Sequence, residues 1–85
     1  MEEKVIKTVE IGLGITLDIY NNRTYEFTTP GEVYEKFPDF AKELEETTKA
    51  MMGKKQSHLE SYKIHCAIFN KLLVANGLPE ITEKI

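Results

Sequence analysis

Odd-numbered positions from 9 to 19 are all apolar: Val9, Ile11, Leu13, Ile15, Leu17 and Ile19. Between them stand Glu10, Gly12, Gly14, Thr16 and Asp18. Alternation of this length predicts β-structure with one buried face, because successive side chains leave a strand on opposite sides. Left straight, residues 5–20 would extend about 50 Å at ~3.3 Å per residue, too long for a small domain. A bend at Gly12 and Gly14 is therefore expected, dividing the segment into strands over 4–11 and 15–20. The alternative is one long strand on which the glycines leave a strip bare of side chains, open to a ligand or a second backbone.

Tyr25 and Phe27 resume the alternation after the polar break Tyr20-Asn21-Asn22-Arg23, which predicts a second turn. The expected connection is a three-residue loop over 20–22. It pairs Leu17 with Tyr25 and Ile15 with Phe27, and gives Asn22 the left-handed conformation that Asn tolerates. Moving the loop to 21–23 keeps the faces but asks Arg23 to take that conformation. The β region is thus 4–28, a hairpin or a three-stranded meander.

Helical signals follow. Thr29-Pro30-Gly31-Glu32 reads as a capping box with proline at the first helical position, opening a short helix over 30–36 that Pro38 ends. Asp39 is the expected cap of a second helix over 39–52, striped by Phe40, Ala41, Leu44, Thr48, Met51 and Met52. Its acids lead and its lysines follow, which suits the helix dipole. Ser57 and Glu60 form another capping box for the longest helix, over 57–76. Leu59, Tyr62, Cys66, Phe69 and Leu73 make its stripe, and Ile64, Ile68, Leu72 and Ala75 widen it. Asn76-Gly77-Leu78-Pro79 is a stop signal, leaving 77–85 as a tail. The expected fold class is α+β, one domain over 1–85. An N-terminal antiparallel hairpin or three-stranded meander packs on a C-terminal helical hairpin, with a short helix between.

A helix apolar around more than half its circumference needs cover on two sides, and a small sheet has two unpaired edges. Together these predict a homo-oligomer with Ile64, Ile68, Leu72 and Ala75 at the interface.

Composition narrows the function. The chain has 85 residues, 41% of them hydrophobic and 29% charged, with a net charge of −3. That balance suits a globular domain too small to hollow out a deep catalytic cleft. No apolar run reaches the ~18–20 residues of a membrane helix, and the opening Glu2-Glu3-Lys4 is not a cationic leader. A cytoplasmic protein is expected, whose single cysteine, Cys66, stays a thiol.

Candidate chemistry is sparse. Gly12-Leu13-Gly14 begins like a dinucleotide fingerprint but lacks the third glycine and the helix that would hold a pyrophosphate. His58 and His65 lie two helical turns apart, about 10 Å at 1.5 Å per residue, too far to share one ion. Neither a metal, a cofactor nor a catalytic residue is expected. Lys54, Lys55, Lys63 and Lys71, with His58, form the most basic stretch. A helix-turn-helix is opposed by Lys49 and Lys54 where small or apolar side chains belong, and by the acidic net charge, so nucleic acid is not the expected partner. Gly12, Gly14 and Arg23 together with Lys54, Lys55, His58 and Lys63 are candidates for holding a small anionic ligand such as a nucleotide. The leading expectation is a non-catalytic, oligomeric interaction protein with a protein-binding surface: a regulator, adaptor or inhibitor of the kind phages and other mobile elements encode. An oligomeric binder or sequesterer of such an anion, its pocket made by the glycine strip and the Lys54/Lys55/Lys63 cluster doubled across a symmetry axis, and a nucleic-acid-binding regulator are the alternatives.

Overall fold

The computed structural model describes residues 2–85. Strands β1 (Val5–Gly12), β2 (Ile15–Tyr20) and β3 (Tyr25–Thr28) form an antiparallel meander in the order β1-β2-β3. Helices α1 (Gly31–Lys36), α2 (Pro38–Met51) and α3 (His58–Ala75) follow. The chain is therefore α+β: a three-stranded meander, then a short helix, then two longer helices packed together. Among the described residues, no helix is long and apolar enough to cross a membrane.

The alternating segment bends at its glycines. Gly12 pairs with Ile15 across a two-residue turn, in which Leu13 and Gly14 have φ of 57° and 78°. Two positive φ values define the hairpin turn whose twist suits the strands it joins. Asn or Gly usually fills the first of these places. Leu13 holds it while its side chain packs against the core. The register shifts between Glu10 and Gly12, a bulge that leaves Val9 opposite Leu17.

The second turn corrects the expected register. Leu17 pairs with Phe27 rather than Tyr25, and Ile19 takes Tyr25. The loop is therefore 21–23, and Arg23, with φ of 67°, is the left-handed residue. Both asparagines are engaged elsewhere. Asn22 Oδ1 accepts from the Thr24 amide at 3.2 Å, a local turn that Asn side chains favour. Asn21 clamps the approach to β1: its amide donates to Lys4 O at 2.9 Å and its Oδ1 accepts from the Lys4 amide at 3.2 Å.

Helix starts shift for a similar reason. Pro30 is itself the extended cap of α1, without a side-chain bond, so Thr29 sits too far back to cap. Phe37 caps α2 and Pro38 takes its first turn, which moves Asp39 inside the helix. Ser57 does cap α3, accepting from the Glu60 amide at 3.1 Å. At the other end of α3 the Leu78 amide donates to Leu73 O at 2.9 Å and the Gly77 amide to Val74 O at 3.0 Å, with Gly77 at φ 74°. Those two bonds satisfy the last carbonyls of the helix.

The core lies between the inner sheet face and the helices. Ile15, Val33, Phe40, Ile68, Phe69 and Leu72 form one cluster; Leu17, Ile19 and Tyr62 form the other. Rings bind the layers: Phe27 stacks on Phe69 with centroids 4.1 Å apart, and Phe40 meets Phe69 edge-on at 5.2 Å. Ile68 and Leu72, expected at an interface between copies, are instead each 6% exposed, because α1 and α2 fold over that flank of α3. Ile64 is half-buried and Ala75 exposed. Leu59, expected within the stripe, is 48% exposed. The tail over 77–85, outside every helix and strand, is anchored to the fold. Ile81 and Ile85 pack on the second cluster, Tyr62 Oη donates to Glu83 O at 2.7 Å, and Lys7 pairs with Glu83 at 2.7 Å.

Candidate functional site

The residues proposed to hold an anion do not converge within one chain. Gly12 and Gly14 stand in the β1–β2 turn, where neighbours have filled the space above them. A Cβ on Gly12 would lie 2.6 Å from Leu78 Cδ1, and one on Gly14 3.1 Å from Pro30 Cγ. No bare strip remains. Leu73 and Leu78, which face Gly12, stand in the last turn of α3 and just beyond its end. Lys54, Lys55 and His58 flank its N-terminus, about 27 Å away at 1.5 Å per residue over this helix. Arg23 lies in the β2–β3 turn, across β2 from the glycines.

Lys63 lies more than a turn further along α3, on its outer ridge with Cys66, Ala67 and Glu80, whereas Lys54, Lys55 and His58 stand close along the chain at the corner where α2 gives way to α3. Gly53, with φ of 82°, turns the chain there. Met52, expected to face the core, is 74% exposed at this corner, and Leu59 stands exposed on the first turn of α3. None of the three lysines takes part in an ion pair among the described residues, whose pairs are Lys7–Glu83, Lys49–Glu45 and Lys71–Glu43. Unpaired cations around two uncovered apolar side chains can attract a partner over distance and bury apolar surface on contact.

A second feature joins β3 to the helices. Tyr25 Oη and His65 Nδ1 share a hydrogen bond, and their rings meet edge-on at 5.7 Å. Burial holds the His65 imidazole below its ordinary pKa. Burial likewise pushes the Tyr25 phenol up to about 12, against a lowering bond from Ser61. It also raises the Tyr62 phenol and the Cys66 thiol. All four groups are therefore neutral near pH 7, and Cys66 is a poor nucleophile there. Beside them opens a pocket of about 190 Å³ whose lining includes Tyr25, Phe27, Tyr34, Leu44, His65 and Phe69. Sequence reasoning missed it because Tyr25 and His65 stand 40 residues apart, and no local spacing marks the pair.

Among the described residues no group of three or more His, Cys, Asp or Glu side chains could hold a metal ion. No family model matches the chain, and neither a curated protein nor a solved structure is significantly similar to it.

Proposed function

We propose that this protein is a non-catalytic interaction protein, an adaptor, regulator or inhibitor whose α2–α3 corner grips an acidic, apolar-bearing segment of another protein. One observation carries the reading: Met52 and Leu59, which flank Lys54, Lys55 and His58 in the chain, are 74% and 48% exposed. Apolar side chains of this size contribute by being covered, and the lysines select the charge of whatever covers them. Contact there would order the exposed lysines at an entropic cost, so the apolar pair supplies the affinity and the cations the choice of partner.

The test is affinity capture from the source cell by the wild-type chain, by Leu59→Ser and by the Lys54→Glu/Lys55→Glu double variant. All three positions are exposed, so the variants keep the fold. A partner retained by wild type and lost by both variants, and released by high salt, is the expected result. Equal capture by all three proteins, or capture of nothing, overturns the proposal.

Self-association is a second reading, favoured by the outer ridge of α3. There Ala67, Val74 and Ala75 line a shallow depression of about 710 Å³ between Lys63 and Glu80.

A further inference from the structure

β3 is an edge strand with no sheet neighbour beyond it among the described residues. The Tyr20 amide donates to Thr24 O at 2.9 Å, which fixes the phase of the β2–β3 ladder. In an antiparallel pair, residues alternate between bonding the partner and pointing away. Thr24, Glu26 and Thr28 therefore turn their backbone groups toward β2. Tyr25 and Phe27 turn theirs outward, presenting two amides and two carbonyls to the free edge. An edge of this kind is a template for another strand. It lies beside the 190 Å³ pocket, which is closed opposite by Leu44 and Thr48 of α2 and Tyr34 of α1 and floored by His65 and Phe69 of α3. A cavity of ~150 Å³ can hold one benzene ring, so the pocket is of a size for one aromatic side chain.

The outer sheet face supplies the charge argument. Asp18 lies directly opposite Glu26, a like-charge pair that costs stability. Among the described residues their carboxylates are met only by hydroxyls, Asp18 by Thr8 Oγ1 at 2.7 Å and Glu26 by Tyr20 Oη at 2.9 Å. A residue added opposite Glu26 would extend this row outward, where a cation would relieve it. A second copy would worsen it. The self-pairing that uses all four outward groups of β3 sets Glu26 against its own counterpart, bringing four carboxylates into line.

We propose that the cleft between β3 and α2 receives an extended peptide segment as a fourth strand. One aromatic side chain enters the Tyr25/Tyr34/His65 pocket, and an adjacent Lys or Arg faces Glu26. Strand alternation makes these neighbours: Glu26 borders the pocket between Tyr25 and Phe27, but its carboxylate is turned to the outer face, where it accepts from Tyr20 Oη. The surface is separate from the α2–α3 corner and does not depend on it.

A display library of random octapeptides, panned on the full chain, tests this. The expected enriched sequences carry an aromatic residue next to Lys or Arg. A peptide of that pattern is expected to slow hydrogen exchange at the Tyr25 and Phe27 amides. It should also bind Glu26→Lys at least tenfold more weakly. Glu26 is exposed, so that variant folds, and exchanging the peptide's basic residue for Glu repeats the test with the protein unchanged. The proposal is overturned by enrichment lacking the pattern, by protection elsewhere, by undiminished binding to Glu26→Lys, or by protection of both amides through dimerisation without peptide.

Discussion

Arg23 adopts a conformation in which its Cβ crowds the following carbonyl, a penalty of about 1–2 kcal/mol that glycine escapes. Among the described residues its side chain makes no hydrogen bond or ion pair that would offset this. Arg23→Gly is expected to raise stability by roughly 1 kcal/mol after the greater freedom of an unfolded glycine is subtracted, read as a higher urea midpoint at unchanged m-value. The Asn22 preference was physically sound but incomplete. Sequence shows which residue tolerates a left-handed backbone, yet not that Asn22 is already bonded to the Thr24 amide. His65 makes a second expectation. Burial lowers its folded-state pKa, so the unfolded chain takes up a proton near pH ~6.5 while the folded chain resists. Stability is full above that value and declines as pH falls toward the folded pKa. The melting temperature is expected to drop between pH ~7.5 and ~5.5, and His65→Phe to flatten that slope relative to the wild-type chain.

Among elements, the two capping boxes separate by local geometry. Both have the sequence for it, but only Ser57 reaches an amide, that of Glu60. Ser57→Ala is expected to cost about 1 kcal/mol, whereas Thr29→Ala stays within roughly 0.5 kcal/mol because no cap is lost; paired urea titrations measure both. Element order and type were legible from periodicity and stop signals, since alternation in the strands and the Asn76-Gly77-Leu78-Pro79 stop are local properties. Which face of α3 met which neighbour was not. Ile68 and Leu72 looked surplus only because nothing local shows α1 and α2 folding across them. The tail was illegible for the same reason, its anchors at Asn70, Tyr62 and Lys7 being distant in sequence.

For the whole molecule, burial of Ile68 and Leu72 removes the apolar excess on which the expected interface rested. The α3 ridge of Ala67, Val74 and Ala75, a surface of small side chains, and the exposed Val5 and Ile6 of β1 are weaker grounds for self-association. Light scattering across a dilution series is expected to show a mass that falls toward a single chain at low concentration, and a dimer persisting on dilution would contradict this. The candidate basic corner was partly legible, because Lys54, Lys55 and His58 are close in sequence. The β3 cleft was not, since it draws on four elements at once: β3, α1, α2 and α3. The ring ladder behind that cleft has one practical outcome. The chain has four tyrosines and no tryptophan, so ultraviolet emission reports phenols alone. Tyr25 and Tyr62 meet edge-on at 5.1 Å, with the Tyr25 hydroxyl held by an imidazole. Opening of the domain should register directly as a change in intrinsic fluorescence, without an introduced dye.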